Sequence, residues 1–402
     1  MSEQIRAFTV DQFELLSRLC GTPSPVGFER TIIDGVILPE MRAFMPERWE
    51  IKRFTGTPGV VIDTAPDATG FPTIMPIAHA DTIRLQVRSI GDDGKLWVNT
   101  DSFLPGAILG HTFNLVVEDP NEPGSYRTLP NLTAQAFGAI HFASEEVRSG
   151  RKGVEPKQVY LETGLFGPDA KQRLEELGVR EGQPAVFSRC LQRGPTSGTF
   201  MGPYLDNSLG CFMLIETARR LAELQQAREL RGVRVLLAVS THEEVGLYGG
   251  PIAVNEHRPD IVFGLDVTHD FKAAPGIADR RMPPIELGAG PVITSGTVHS
   301  QHLFNLVRQV ATDCALPLQR DVVGKREGND SMAAALAACD AASGSISLPI
   351  RNMHTAAELG CDHDVLVACK LLPEFIKTFG ENWGVEHLRQ SHVKIGSDRC
   401  RL

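Results

Sequence analysis

Four segments of this chain are apolar over nearly their whole length and then stop at a histidine or a carboxylate. TIMPIA runs into His79-Ala80-Asp81 and VRVLLAVS into Thr241-His242-Glu243-Glu244. IVFGL runs into Asp266-Val267-Thr268 and SISLPI into Arg351-Asn352-Met353-His354. A strand with one wet face alternates polar and apolar residues, whereas a strand covered on both faces stays apolar. These runs therefore predict a sheet buried between helical layers. Helical patterns fall between and around them, over 206–226, 300–315, 331–342 and 362–379, the last with Pro373 disturbing its interior. The expectation is an α/β fold whose mostly parallel or mixed sheet is covered by helices.

The chain is too long for one core of ordinary size, with 402 residues. From 84 to 192 the texture changes. LQVRSI, KLWVN, TFNLVVED and PAVFS alternate with Gly, Pro, Asn and Asp turns, and only 168–177 reads as a helix. Short strands at such spacing predict a small β-barrel or sandwich. The predicted organisation is one α/β domain from residues 1–84 and 196–402, interrupted by a β domain over 85–195.

Composition removes several function classes. A net charge of -9 with no basic run argues against a nucleic-acid partner. No apolar run approaches the roughly 20 residues that cross a bilayer, so no membrane partner is expected. The start MSEQIRAFTVDQFELLSRLC lacks the cationic, apolar and small-residue pattern of a signal peptide. The 8 cysteines are scattered and form no CxxC, which predicts free thiols, a reducing cytoplasm and no cysteine-bound metal.

In an open α/β sheet the ligand site lies beyond the carboxyl ends of the strands. Five segments would deliver His79, Asp206, a glutamate of the Glu243-Glu244 pair, Asp266 and His354 to one rim. Two imidazoles and three carboxylates suit a pair of divalent ions, zinc first and cobalt or manganese as options. One carboxylate must then bridge, leaving a shared position for water, which paired ions acidify. Neighbouring residues leaving a strand point opposite ways. One of Glu243 and Glu244 can ligate while the other faces the water as general base. Asp81, two residues past His79, is placed to hold the second imidazole nitrogen. Each residue alone has a plainer reading: a hydrogen-bonded histidine, a solvated Glu pair, or a helix cap at Asp206. Their common position at strand ends favours the joint one.

Several motifs carry a family resemblance. GTPSPVGFE, AHAD, LDNSLGC, THEEVGLYGG, LDVTHD, EGNDSMAAAL and SLPIRNMHTAAE occur in that order, with VYLETG and GQPAVF near the end of the β segment. The chain resembles the M42 metallo-aminopeptidases, the glutamyl or tetrahedral aminopeptidase family. The resemblance implies a di-zinc exopeptidase-like fold and hydrolysis of the N-terminal peptide bond of peptides with a free N-terminus. It implies His79 and Asp266 on one metal, Glu244 and His354 on the other, Asp206 bridging, Glu243 as general base and Asp81 orienting His79. It also implies a homo-oligomer, often of twelve chains, with the inserted β domain contributing to contacts or substrate access. Departures occur at Thr82-Ile83-Arg84, where Glu-Ile-Gly is usual, and at Ser208, where Arg is frequent. The rival readings are an M20-like amidohydrolase or dipeptidase, and a non-catalytic scaffold retaining the fold. The preferred N-terminal residue stays open, with Arg281, Arg320 and Arg351 as basic candidates for selecting acidic side chains.

Overall fold

The computed structural model describes residues 7–100, 103–122, 124–196, 198–275, 283–296, 298–384 and 388. Its centre is an eight-stranded sheet. Across it the strands run Glu50–Arg53, Val60–Asp63, Arg234–Ser240, Thr73–His79, Ile261–His269, Ala342–Ile350, Val292–Ser295 and Gln319–Val322. The four central strands, from Arg234–Ser240 to Ala342–Ile350, are mutually parallel. Antiparallel neighbours flank them, so the sheet is mixed. These four are the apolar runs of the sequence, and their shared direction brings all four carboxyl ends to one edge.

Pleating sends successive side chains to opposite faces, and each face meets helices. Ile74, Ala78, Val235, Leu237 and Phe263 pack with Phe212, Leu371 and Phe375 of the helices Leu205–Gln226 and Asp362–Asn382. Met75, Ile77, Leu236 and Val262 pack on the other side with Ala253, Val254, Ala333 and Ala334. The inserted segment closes on itself as a separate six-stranded barrel. Its order is Leu85–Ile90, Leu96–Asn99, Tyr160–Glu162, Tyr126–Gln135, Thr112–Glu118 and Pro184–Phe187. Closure leaves no unpaired sheet edge. The barrel has its own core, in which the Phe113 and Phe187 rings stack 4.6 Å apart.

Four local expectations are corrected. The Ala-rich segment 331–342 is not one helix. A 3-10 turn, Asp330–Met332, leads into the single turn Ala333–Leu336, and Ala342 already pairs with Ile261 in the sheet. Sheet pairing there overrides alanine's helix propensity. The helix carrying Pro373 in its interior runs three residues past its expected end, to Asn382, with Leu371, Leu372, Phe375 and Phe379 buried. The barrel insertion holds two further short helices, Pro105–Ile108 and Glu145–Arg148. Asp266 lies inside its strand rather than after it, because pairing with Ala342–Ile350 continues to His269. Among the described residues no helix is long and apolar enough to cross a membrane. Residues 1–6, part of the start read for a signal peptide, and Cys400 lie outside the described residues. The other seven cysteines are free thiols.

The sheet's far edge is tied by one buried carboxylate. Asp63 accepts from Lys52 Nζ and Arg234 Nε, each at 3.1 Å, and from the Ala65 amide. Burial raises its pKa, but Arg234, the amide and Lys52 outweigh burial and hold it below the ordinary carboxylate range. Lys52 and Arg234 stay partly in water, so the loss is that of charge-assisted hydrogen bonds rather than of a fully buried pair. Asp63→Asn is expected to lose about 1–3 kcal/mol in urea unfolding at neutral pH. Because the folded pKa is depressed, this stabilisation is present above the ordinary Asp range and fades as pH falls through the folded value. The difference between the two proteins should shrink accordingly.

Candidate metal centre

The carboxyl edge of the four parallel strands gathers every predicted site residue. His79 ends its strand, Asp266 projects from the adjacent one, and Glu243 and Glu244 follow Ser240. His354 lies past Ile350, and Asp206 stands at the mouth of the long helix. Ligand atoms of His79, Glu243 and Asp266 lie within 4.8 Å of one another, and so do those of Asp206, Glu244 and His354. Asp206 connects the clusters. Its Oδ1 is 3.2 Å from His79 Nε2 and its Oδ2 3.3 Å from His354 Nε2. Glu243, expected beside the water rather than among ligands, has its Oε2 3.8 Å from His79 Nε2.

Local structure explains these placements. The plain reading of Asp206 as a helix cap does not hold. Asp206 and Asn207 depart from helical backbone angles, and Asn207 does the tying. Its side chain accepts from Gly210 N and donates to Leu265 O, one residue before Asp266. Asp81 departs from its expected contact. His79 Nδ1 lies 3.0 Å from the backbone carbonyl of Asp81, whereas the carboxylate is 3.6 Å away. That carboxylate accepts the Glu243 and Glu244 amides at 3.2 and 3.0 Å. It thus fixes the backbone of the Glu pair, while the carbonyl fixes the imidazole tautomer.

The site carries more negative charge than protein groups balance. Burial would discharge His79, yet Glu243, Asp206, Asp81 and Asp266 overcome it and hold its pKa well above the ordinary value. Burial raises Asp206 too, but the two histidines win and its carboxyl stays far below the usual range. Burial and the neighbouring carboxylates push Glu243 up to about 10, and raise Glu244 and Asp266 strongly. Glu244 Oε1 is buried without a hydrogen-bond partner among the described residues. An unpartnered carboxylate oxygen beside clustered imidazole and carboxylate donors fits divalent cations, the hard charges that such a donor set accepts. A cavity of about 350 Å³ opens beside it, lined by Glu243, Glu244, Leu247, Arg326, Glu327 and Gly328.

Sequence reasoning missed three carboxylates around this centre. Glu358 accepts the amides of Leu205, Asp206 and His354. Asp330 accepts from the Ser240 hydroxyl, and burial pushes it up to about 6. Glu327 lies 2.8 Å from His299 Nε2 and accepts from Ser331. All three fall within recognised motifs, Glu327 and Asp330 in EGNDSMAAAL and Glu358 at the end of SLPIRNMHTAAE, but nothing in the linear pattern reveals their partners. Of the basic candidates, Arg320 donates to Ser295 Oγ and lies 5.3 Å from the Phe304 ring. Arg351 donates to buried Asp270 at 2.7 Å. Arg281 lies outside the described residues.

Histidines and carboxylates gathered at the carboxyl edge of a covered α/β sheet make a candidate metal centre, a donor set suited to a metal-dependent enzyme. The chain belongs to the M42 glutamyl aminopeptidase family, whose model matches residues 59–371. It is therefore a peptide-bond hydrolase, an aminopeptidase of a family that works with divalent metals. A lysyl aminopeptidase of Pyrococcus furiosus is 28% identical over 301 residues, 75% of this chain and 80% of the relative. Among solved structures, the TET aminopeptidase of the marine sediment archaeon Thaumarchaeota archaeon SCGC AB-539-E09 superposes with a TM-score of 0.80 at 22% identity. That match covers 94% of this chain and 98% of the other. The TET1 peptidase of Pyrococcus horikoshii, described as assembling into a tetrahedron or a large octahedral shell, matches with a TM-score of 0.72. It is 21% identical and the match covers 91% of this chain and 99% of that one.

The Asp81 contacts generate a direct test. Truncating its carboxylate leaves two amides without acceptors, each worth about 1–3 kcal/mol when buried. Asp81→Ala is expected to lose about 2–4 kcal/mol in urea unfolding, with Asp81→Asn losing less because one oxygen remains. Equal stability of Asp81→Ala and the unaltered chain would remove the carboxylate from this role.

Proposed function

We propose that this protein removes single residues from the free N-termini of peptides with two divalent cations per chain, zinc or alternatively cobalt or manganese. His79 and Asp266 hold one cation, Glu244 and His354 the other, and Asp206 is shared. The carrying observation is the Asp206 carboxylate, whose two oxygens face different histidines at 3.2 and 3.3 Å. A bridging ligand requires that arrangement.

Bound in this way, the cations supply acidification of the attacking water and polarisation of the scissile carbonyl. The chain's own groups do the rest. Glu243 takes the proton from the water and returns it to the departing amine. The Glu243 carboxyl, pushed up by burial and then by Asp266, Asp330 and Asp206, would return toward the range of a base once that negative charge is balanced. Asp81 keeps Glu243 and Glu244 in register through their amides. The cavity bounded by Glu243, Glu244 and Leu247 receives the N-terminal residue.

Residues 1–84 and 196–402 form the catalytic domain in this reading. The barrel segment 85–195 serves assembly and substrate access in a homo-oligomeric shell, by analogy with the tetrahedral TET1 relative. A cytoplasmic site of action belongs to this reading, and the free thiols among the described cysteines suit a reducing compartment. The M20-like alternative predicts cleavage of blocked-amine substrates, so free-amine and N-acyl substrates measured side by side separate the two. A scaffold would be expected to have lost ligands, and the gathering of His79, Asp206, Glu244, Asp266 and His354 at one edge supports the enzyme reading instead.

Loss of a general base typically lowers rate by about 10²–10⁴-fold. Glu243→Gln is expected to retain both cations and lose kcat by a factor in that range, read with an aminoacyl chromogenic substrate and metal analysis. Unchanged turnover with full metal content would remove Glu243 from the role.

A further inference from the structure

His354 is held differently from the other proposed ligands. His79 ends a central strand and its side chain is 1% exposed, enclosed by its surroundings. The His354 side chain is 35% exposed and lies beyond its strand, in a turn where Asn352 and His354 adopt φ of 59° and 61°. This left-handed conformation is uncommon outside glycine, though Asn and His adopt it more readily than most. The His354 amide donates to Glu358 Oε1 at 2.8 Å. The other oxygen, Oε2, accepts the amides of Leu205 at 2.7 Å and Asp206 at 3.3 Å.

One fully buried carboxylate thus clasps the backbone of two ligands separated by nearly 150 positions. It reaches the shared Asp206 and the partly exposed His354, whereas Asp81 reaches the Glu pair. We infer that Glu358 is a positioning residue that sets the spacing of Asp206 and His354, and through it the affinity of the cluster Asp206, Glu244 and His354 for its cation. The inference rests on the two-cation reading of the same site. Glu358 touches neither substrate nor the reacting atoms and acts only through those backbones.

The chemistry of the clasp makes the conservative substitution informative. Three N–H donors converge on two acceptor oxygens, and a carboxamide offers one oxygen and one NH₂. The oxygen is best spent on the side with two donors, which sets the NH₂ of Glu358→Gln against the His354 amide. Two donors then face each other at the turn that carries His354.

The test is stepwise cobalt binding to the metal-free full chain, followed by native mass spectrometry and by the visible absorption of bound cobalt, for the unaltered chain, Glu358→Gln and Glu358→Ala. Groups that support ligands typically contribute about 10–100-fold in metal affinity. The expected result is a second equivalent weakened by about 10–100-fold in both variants, with a clearly smaller loss at the first, which depends on the clasp through Asp206 alone. Equal affinities for both equivalents in all three proteins would overturn the inference. So would parallel weakening of the two equivalents, or metal-free variants that no longer fold, since either would make Glu358 a general support of the fold. Failure of the unaltered chain to take two equivalents would instead sink the two-cation reading itself.

Discussion

Concentrated negative charge in a nearly dry space is the constraint from which the rest of this structure follows. Asp81, Asp206, Glu243, Glu244 and Asp266 crowd around two imidazoles at one sheet edge, and most of them are buried. Carboxylates so placed repel one another, and burial alone disfavours their charged forms. Protein groups answer only part of this. The histidines stabilise Asp206, and His79 followed by two backbone amides stabilises Asp81, while Glu243, Glu244 and Asp266 are left with strongly raised pKa values. Divalent cations are the remaining charges that can balance the set.

The fold is what makes such crowding tolerable. Four parallel, fully covered strands give a rigid edge, and helices on both faces exclude water from beneath it. The candidate ligands are then fixed mainly through the backbone. Asp81 grips the amides of the Glu pair, Asn207 links the long helix to the strand carrying Asp266, and Glu358 links Asp206 to His354. Buried side chains thus order exposed or strained segments, and the reactive groups keep free lone pairs toward the centre.

The covered strands were legible because burial on both faces leaves a continuous apolar run, and the barrel because short alternating strands between turn residues leave another pattern. The site residues were legible as a group, since topology sends every parallel strand's end to one edge. Finer features depended on contacts that linear order does not encode. Which atom of Asp81 would meet the His79 ring depends on how the Ala80-Asp81 backbone turns after its strand. The segment 331–342 reads as helix from its alanines, yet the sheet claims Ala342 for pairing with Ile261. Glu358 is an unremarkable glutamate until its partners at 205, 206 and 354 arrive from elsewhere in the fold.

The central claim is that Asp206 lies between two cations. Anomalous diffraction from crystals of the zinc- or cobalt-loaded protein, collected at the metal edge, tests it most directly. Two peaks separated by roughly 3.5–4 Å, with one carboxylate oxygen of Asp206 on each, are predicted. A single peak, or ions bound away from Asp206, would contradict the account.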